Sequence, residues 1–157
     1  MNETLKSYWE GFLTETNLDK NTKCFEAFYF GYNEHTATEL LKLVLEGTKT
    51  ATTSCVYQYD LTNSPYPQVG NFSIVTDYFG NPKCIIETKN VLKIKFNEVT
   101  YDICKREGED DTLESWQENH IKFFTEVGKD LGFEFAFDMY VLFEDFEVVY
   151  KWGKNLL

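Results

Sequence analysis

The sequence predicts an α+β fold, and two observations carry that prediction. Apolar patterns follow one another as helix, strand, helix, several strands, helix and strand, an order that does not repeat as β-α-β units. No internal repeat, low-complexity tract or Pro/Gly-rich linker divides the 157 residues. We therefore expect one domain spanning residues 1–157, with a core built largely on its 14 Phe and 10 Tyr rings.

The first half of the chain begins with an amphipathic pattern. Helical spacing of apolar side chains predicts a helix over residues 3–14, packed outside the sheet, on the evidence of Leu5, Trp9 and Phe12. A polar loop over residues 17–23 precedes a short aromatic strand over residues 24–30. A second helix then carries the stripe Leu40, Leu41, Val44 and Leu45, capped by Asn33 or Thr36 and ended by Gly47.

The second half contains a hairpin and a long helix. Strand patterns over residues 71–77 and 83–96 flank a Gly- and Pro-containing turn, which predicts a β-hairpin. The remaining elements are predicted as a short helix over residues 97–106, an acidic turn over 108–111, a helix over 112–131 and a strand over 139–150.

Composition excludes several classes of function. The formal net charge of −11 repels polyanions, so we expect no binding to duplex DNA. The N-terminal residues carry no leader pattern and no apolar run is long enough to cross a bilayer, so we expect a cytoplasmic protein without membrane contact. The four cysteines form no CxxC pair, so we expect no metal site and no cofactor.

One segment concentrates the polar chemistry. Gly47, Lys49 and Thr52 form a G-x-K-x-x-T pattern where the second helix gives way to a strand. A lysine and a row of hydroxyl groups at such a junction can hold a polar ligand. The predicted ligand-binding residues here are Gly47, Thr50, Thr53 and Ser54, beside Lys49 and Thr52.

Further motifs follow in a fixed order: Pro67-x-Val69-Gly70, Cys84-Ile85-Ile86-Glu87-Thr88, Phe96-Asn97-Glu98-Val99, Glu107-Gly108-Glu109 and Trp116-x-x-x-His120. With the G-x-K-x-x-T segment, they resemble the ASCH family over roughly residues 28–150. The resemblance implies a PUA-like β-barrel with flanking helices. It also implies a cleft beside Lys49 that binds RNA or a nucleoside or nucleotide, with Trp116 and His120 in the ligand-binding wall.

The resemblance also implies a possible reaction. A subset of the family hydrolyses the acetyl amide of N(4)-acetylcytidine with a lysine, a threonine and a glutamate, and these catalytic roles would fall on Lys49, Thr52 and Glu87. A threonine needs a base to take its proton, and a lysine with a depressed pKa can serve. Many members have an arginine two positions after the motif threonine, where this chain has Ser54.

The shared site requires Lys49 and Glu87 to approach each other. In a regular strand Glu87 would lie on the opposite face from Cys84 and Ile86. A β-bulge near residues 88–90 would reverse the alternation and turn Glu87 inward.

Four functions remain open from the sequence. The first is a module that binds RNA or a modified nucleotide without turnover, and the second is the amidohydrolase. The third is a ribonuclease that uses Lys49 and Glu87 as acid and base, and the fourth is a protein-interaction domain. His120 is interpreted as a packed histidine, and Lys89, Lys93 and Lys95 as a basic ridge on one strand.

Overall fold

A computed structural model describes residues 1–152 of the chain. Its α-helices are α1 (Glu3–Glu15), α2 (Glu34–Glu46), α3 (Tyr57–Asp60), α4 (Tyr101–Cys104) and α5 (Leu113–Leu131). Its strands are β1 (Cys24–Phe28), β2 (Ala51–Cys55), β3 (Phe72–Thr76), β4 (Pro82–Lys95) and β5 (Tyr140–Lys151). Short 3₁₀ helices at Phe96–Glu98 and Lys105–Glu107 flank α4, where the sequence predicted a single short helix.

Polar side chains and glycines set the helix ends, and those of α2 are the ones that the sequence predicted. The Asn33 side chain accepts a hydrogen bond from the Thr36 backbone, and the Thr36 hydroxyl accepts one from the Asn33 backbone. Gly47 ends α2 in the left-handed conformation at φ 81°, which costs glycine nothing. Thr112 caps α5, which ends at Gly132. Lys49 therefore lies in the connection between α2 and β2.

The five strands form one mixed sheet in the order β1-β3-β4-β5-β2. The β1–β3 pair is parallel, and every other neighbouring pair is antiparallel. This arrangement confirms the α+β class. The predicted closed barrel is not confirmed, because the edge strands β1 and β2 pair only with β3 and β5 and not with each other in the described residues.

Both faces of the sheet are covered by helices. α1 packs over Ile74 and Ile85, while α2 packs over Cys84 and Ile86, which alternate with Ile85 along β4. α5 contributes Trp116 to a third apolar cluster at the far end of β4 and β5. No helix among residues 1–152 is both long enough and apolar enough to cross a membrane.

Candidate functional site

Lys49 is a buried lysine held by two carboxylates. Only 1% of its surface is exposed, and its Nζ lies 3.2 Å from Glu107 Oε1 and 2.6 Å from Glu109 Oε1. The ammonium also donates to the Ala51 carbonyl at 2.7 Å and lies 5.3 Å from the centre of the Phe30 ring. These contacts offset the free-energy cost of removing the charged ammonium from water.

Glu107 is the centre of the buried network. Its Oε2 accepts hydrogen bonds from the Thr53 hydroxyl at 3.0 Å and from the Trp116 indole N–H. His120 Nε2 lies 3.4 Å from the same oxygen, and its Nδ1 is 2.9 Å from the Trp116 carbonyl. Because both imidazole nitrogens face acceptors, the doubly protonated ring satisfies both contacts.

Backbone contacts hold the two halves of this network together. The Thr50 N–H and the Thr50 hydroxyl both donate to the Arg106 carbonyl at 3.1 Å. Gly108 has φ 70°, and a Cβ at that position would lie 2.3 Å from the Thr48 carbonyl oxygen. Only glycine therefore lets the 107–109 turn approach the Lys49 segment so closely.

The charged groups in the network shift one another's pKa values. Burial alone would raise the pKa of Glu107, but His120 and Lys49 outweigh it and hold that pKa below its usual range. Burial would lower the pKa values of Lys49 and His120, and the two carboxylates raise both instead. The depressed lysine pKa expected of a general base is therefore wrong for Lys49. When His120 is protonated, the two cations Lys49 and His120 balance the two anions Glu107 and Glu109.

A cavity of about 1220 Å³ opens beside this network, between the unpaired edges of the sheet. β1 contributes Glu26 to its lining and β2 contributes Thr52, Thr53 and Ser54. Lys49, Glu107, Glu109 and His120 complete the wall. The gap that leaves the sheet open is therefore the space that can hold a ligand.

The predicted site residues divide into two groups. Lys49, Thr52, Thr53, Ser54 and His120 line the cavity. Gly47, Thr50 and Trp116, which the sequence placed among the ligand contacts, do not line it. They support the wall instead: Gly47 ends α2, Thr50 binds Arg106, and the fully buried Trp116 holds Glu107.

The predicted approach of Glu87 to Lys49 is wrong in this structure. The expected bulge is present between Thr88 and Asn90, but it follows Glu87 and leaves its direction unchanged. Glu87 shares a face with Ile85, under α1, and binds Lys89 at 2.8 Å. Glu107 and Glu109, and not Glu87, are the carboxylates that contact Lys49. Glu107-Gly108-Glu109 was recognised as one of the family motifs and residues 108–111 as an acidic turn, but neither glutamate was predicted to be a site residue. The glycine between them was the available signal.

Charged groups around the cavity are mainly acidic. Seven carboxyl groups line it, and Lys49 is the single lysine among the described lining residues, with no arginine there. The Ser54 hydroxyl shares a hydrogen bond of 3.0 Å with the Tyr59 hydroxyl.

Glu107, Glu109 and His120 offer ligand atoms within 4.8 Å of one another, a spacing that suits a metal ion. The Lys49 ammonium lies against both carboxylates, at the distances given above, and supplies the positive charge there. The residues present therefore fit an ammonium group rather than a divalent cation.

Comparisons with known proteins agree with this architecture. The family model described as the ASCH domain matches residues 26–150. A crystal structure of a protein from Enterococcus faecalis has 31% sequence identity and a TM-score of 0.86, covering 95% of this chain and 90% of that one. An ASCH domain from Lactobacillus crispatus has 36% identity and a TM-score of 0.82, covering 94% of this chain and 95% of that one.

No curated protein matches the chain. The match of the family model, over most of the sequence, and the two similar structures carry the assignment. The chain belongs to the ASCH domain family.

Proposed function

We propose that the protein binds an uncharged nucleoside in the cavity between β1 and β2. The observation that carries this proposal is the lining itself, which combines aromatic rings and hydrogen-bonding groups with an excess of carboxylates. A volume of about 1220 Å³ is sufficient for a base and a ribose.

Aromatic side chains support recognition of a base. Tyr29, Tyr78 and Phe79 line the cavity and remain partly exposed, with ring centres 5.3 Å and 5.5 Å apart in succession. Exposed rings beside a polar cavity can stack on an unpaired base. Thr52 and Ser54 add hydroxyl groups that can hydrogen-bond to a ribose or to a base edge.

The charge of the lining favours a nucleoside over a nucleotide or RNA. Phosphate recognition ordinarily uses arginine, lysine or free backbone N–H groups. Here the single lysine of the described lining is already paired with Glu107 and Glu109. A phosphate in the cavity would meet carboxylates without a free cation, which is unfavourable in a partly desolvated space.

We therefore expect adenosine and cytidine to bind more tightly than their 5′-monophosphates, by about tenfold or more. Isothermal titration at low ionic strength measures both, and the difference should shrink as salt is added. Tighter binding of the monophosphates, or binding of RNA alone, would contradict the proposal.

Hydrolysis of an acetylated base is a second candidate. It is favoured by one observation: Thr52, Lys49 and Glu109 all line the same cavity. The Thr52 hydroxyl has no hydrogen-bond partner within residues 1–152 and is free to act as a nucleophile. Burial raises the pKa of Glu109, Lys49 opposes that effect and Glu107 adds to it. Because the two carboxylates raise the pKa of Lys49, its ammonium would have to pass a proton to Glu109 before the neutral amine could deprotonate Thr52. Thr52 would then take the acetyl group, Glu109 would protonate the departing cytosine amine, and water would release acetate from Thr52.

This candidate is tested by incubation with N(4)-acetylcytidine and detection of cytidine by mass. We expect product to disappear in Thr52→Val, because the substitution keeps the shape and removes the nucleophile. Thr38→Val is the matched control, since Thr38 is exposed and lies outside the cavity. Product formed equally by the wild type and Thr52→Val would exclude Thr52 as the nucleophile.

The ribonuclease alternative receives no support. It required Lys49 and Glu87 in one site, and Glu87 is on the α1 side of β4. The acidic lining is also unsuited to a phosphodiester.

A further inference from the structure

Glu144 is a buried carboxyl group of the cavity lining that stands apart from the Lys49 and Glu107 network. It lies on β5 in antiparallel register with Thr52 of β2, so the two side chains project from the same face of the sheet. Only 8% of Glu144 is exposed, and it lines the cavity. Its position is therefore fixed by the sheet and open to a ligand at the same time.

The two oxygens of Glu144 differ in their partners. Oε1 accepts a hydrogen bond from the Thr88 hydroxyl at 2.6 Å. Oε2 has no partner among residues 1–152, although the side chain is more than nine-tenths buried. Because Glu144 lines the cavity, a donor on a ligand there can reach this free oxygen.

A second carboxyl group faces the same space from β1. Glu26 lines the cavity and is exposed toward it. Partial desolvation there, with the Glu144 charge as a smaller contribution, raises the pKa of Glu26 to about 7. Burial likewise raises the pKa of Glu144. The charge of Glu144 influences Glu26, and the two carboxyl groups line the same cavity from β5 and β1.

We infer that Glu144 and Glu26 form a subsite for an amino group, and that this group is the exocyclic amine of the bound base. This inference rests on the proposed nucleoside function and narrows its ligands to amino-bearing bases. An exocyclic amine has two N–H donors, one for Glu144 Oε2 and one for Glu26. The carbonyl oxygen that replaces the amine in uridine or inosine has no donor and would face two acceptors when Glu26 and Glu144 are ionised, which for Glu26 requires a pH above about 7.

Two pairs of nucleosides isolate this edge. Cytidine and uridine both carry a pyrimidine base, and adenosine and inosine both carry a purine base. Within each pair, the first nucleoside has an exocyclic amine where the second has a carbonyl oxygen. We expect the wild-type protein to bind cytidine and adenosine about tenfold or more tightly than uridine and inosine, measured by titration calorimetry.

Glu144→Gln should abolish that preference, because its amide can offer a donor to the carbonyl of uridine or inosine. Glu147→Gln is the matched control: it lies on the same strand but outside the cavity, and it should keep the preference. Glu26→Gln provides a second variant at an exposed position, should Glu144→Gln fail to fold, and it should also weaken the preference.

The outcomes separate the two proposals. Equal binding within both pairs, or an unchanged preference in folded Glu144→Gln and Glu26→Gln, would overturn the amine subsite and leave nucleoside binding standing. Absence of binding by all four nucleosides would overturn both.

Discussion

Lys49→Met should destabilise the folded protein by about 3–5 kcal/mol. The substitution preserves the length of the side chain but leaves Glu107 and Glu109 buried without their cation. Both carboxylates contact the ammonium directly, and Glu107 and Lys49 are each only 1% exposed. Urea denaturation of the wild type and the variant measures the difference in the free energy of unfolding.

Lys42→Met is the matched control for this change. Lys42 is 69% exposed and its nearest carboxylate, Glu46, is 4.0 Å away, so its loss should cost about 0–1 kcal/mol. Adding Glu109→Gln to Lys49→Met should restore part of the stability, since one of the unpaired charges is then removed. Equal stability of the Lys49 and Lys42 variants would show that the buried network does not hold the site together.

Trp116→Ala should cost about 3–5 kcal/mol through the cavity that it leaves in the core. Its ring is fully buried, stacked on Phe96 and His120 at centre distances of 5.2 Å and 4.3 Å. Trp116→Phe keeps most of the ring but removes the N–H that Glu107 accepts, so a smaller loss of about 1–3 kcal/mol is expected. Denaturant unfolding measures both changes.

Phe79→Ala serves as the aromatic control, because that ring is 71% exposed and its loss should change stability by about 0.5 kcal/mol or less. A Trp116→Ala variant that is as stable as the wild type but cannot bind a nucleoside would mean that the ring is a stacking surface. In that case Trp116 would belong to the ligand contacts, as the sequence first indicated.

Local signals in the sequence predicted the local parts of this site. The periodicity before Gly47 and the hydroxyl-rich stretch after it placed Lys49 between a helix and a strand, and both elements are present. The hairpin of β3 and β4 was also predictable from its turn residues. The bulge near Lys89 was named only as the condition for turning Glu87 inward, and it is present without that effect.

The partners of Lys49 could not be predicted in the same way. Glu107 is 58 positions further along the chain than Lys49, and nothing local to either residue specifies that contact. Glu87 was chosen for its place within a family motif, and strand alternation then put it on the wrong face. The parallel pairing of β1 with β3 is likewise a contact between distant parts of the sequence. Because it places β1 at one edge of the sheet, it leaves the cavity between the unpaired edges of β1 and β2.

Titration of the isotopically labelled protein with adenosine and cytidine, followed by NMR, tests nucleoside binding in this cavity most directly. The proposal requires saturable shifts of amide signals at Thr52, Thr53 and Glu144, and weaker binding of the two 5′-monophosphates. No saturable shifts, or shifts confined to the Lys93 and Lys95 ridge on β4 and seen only with polyanions, would contradict it.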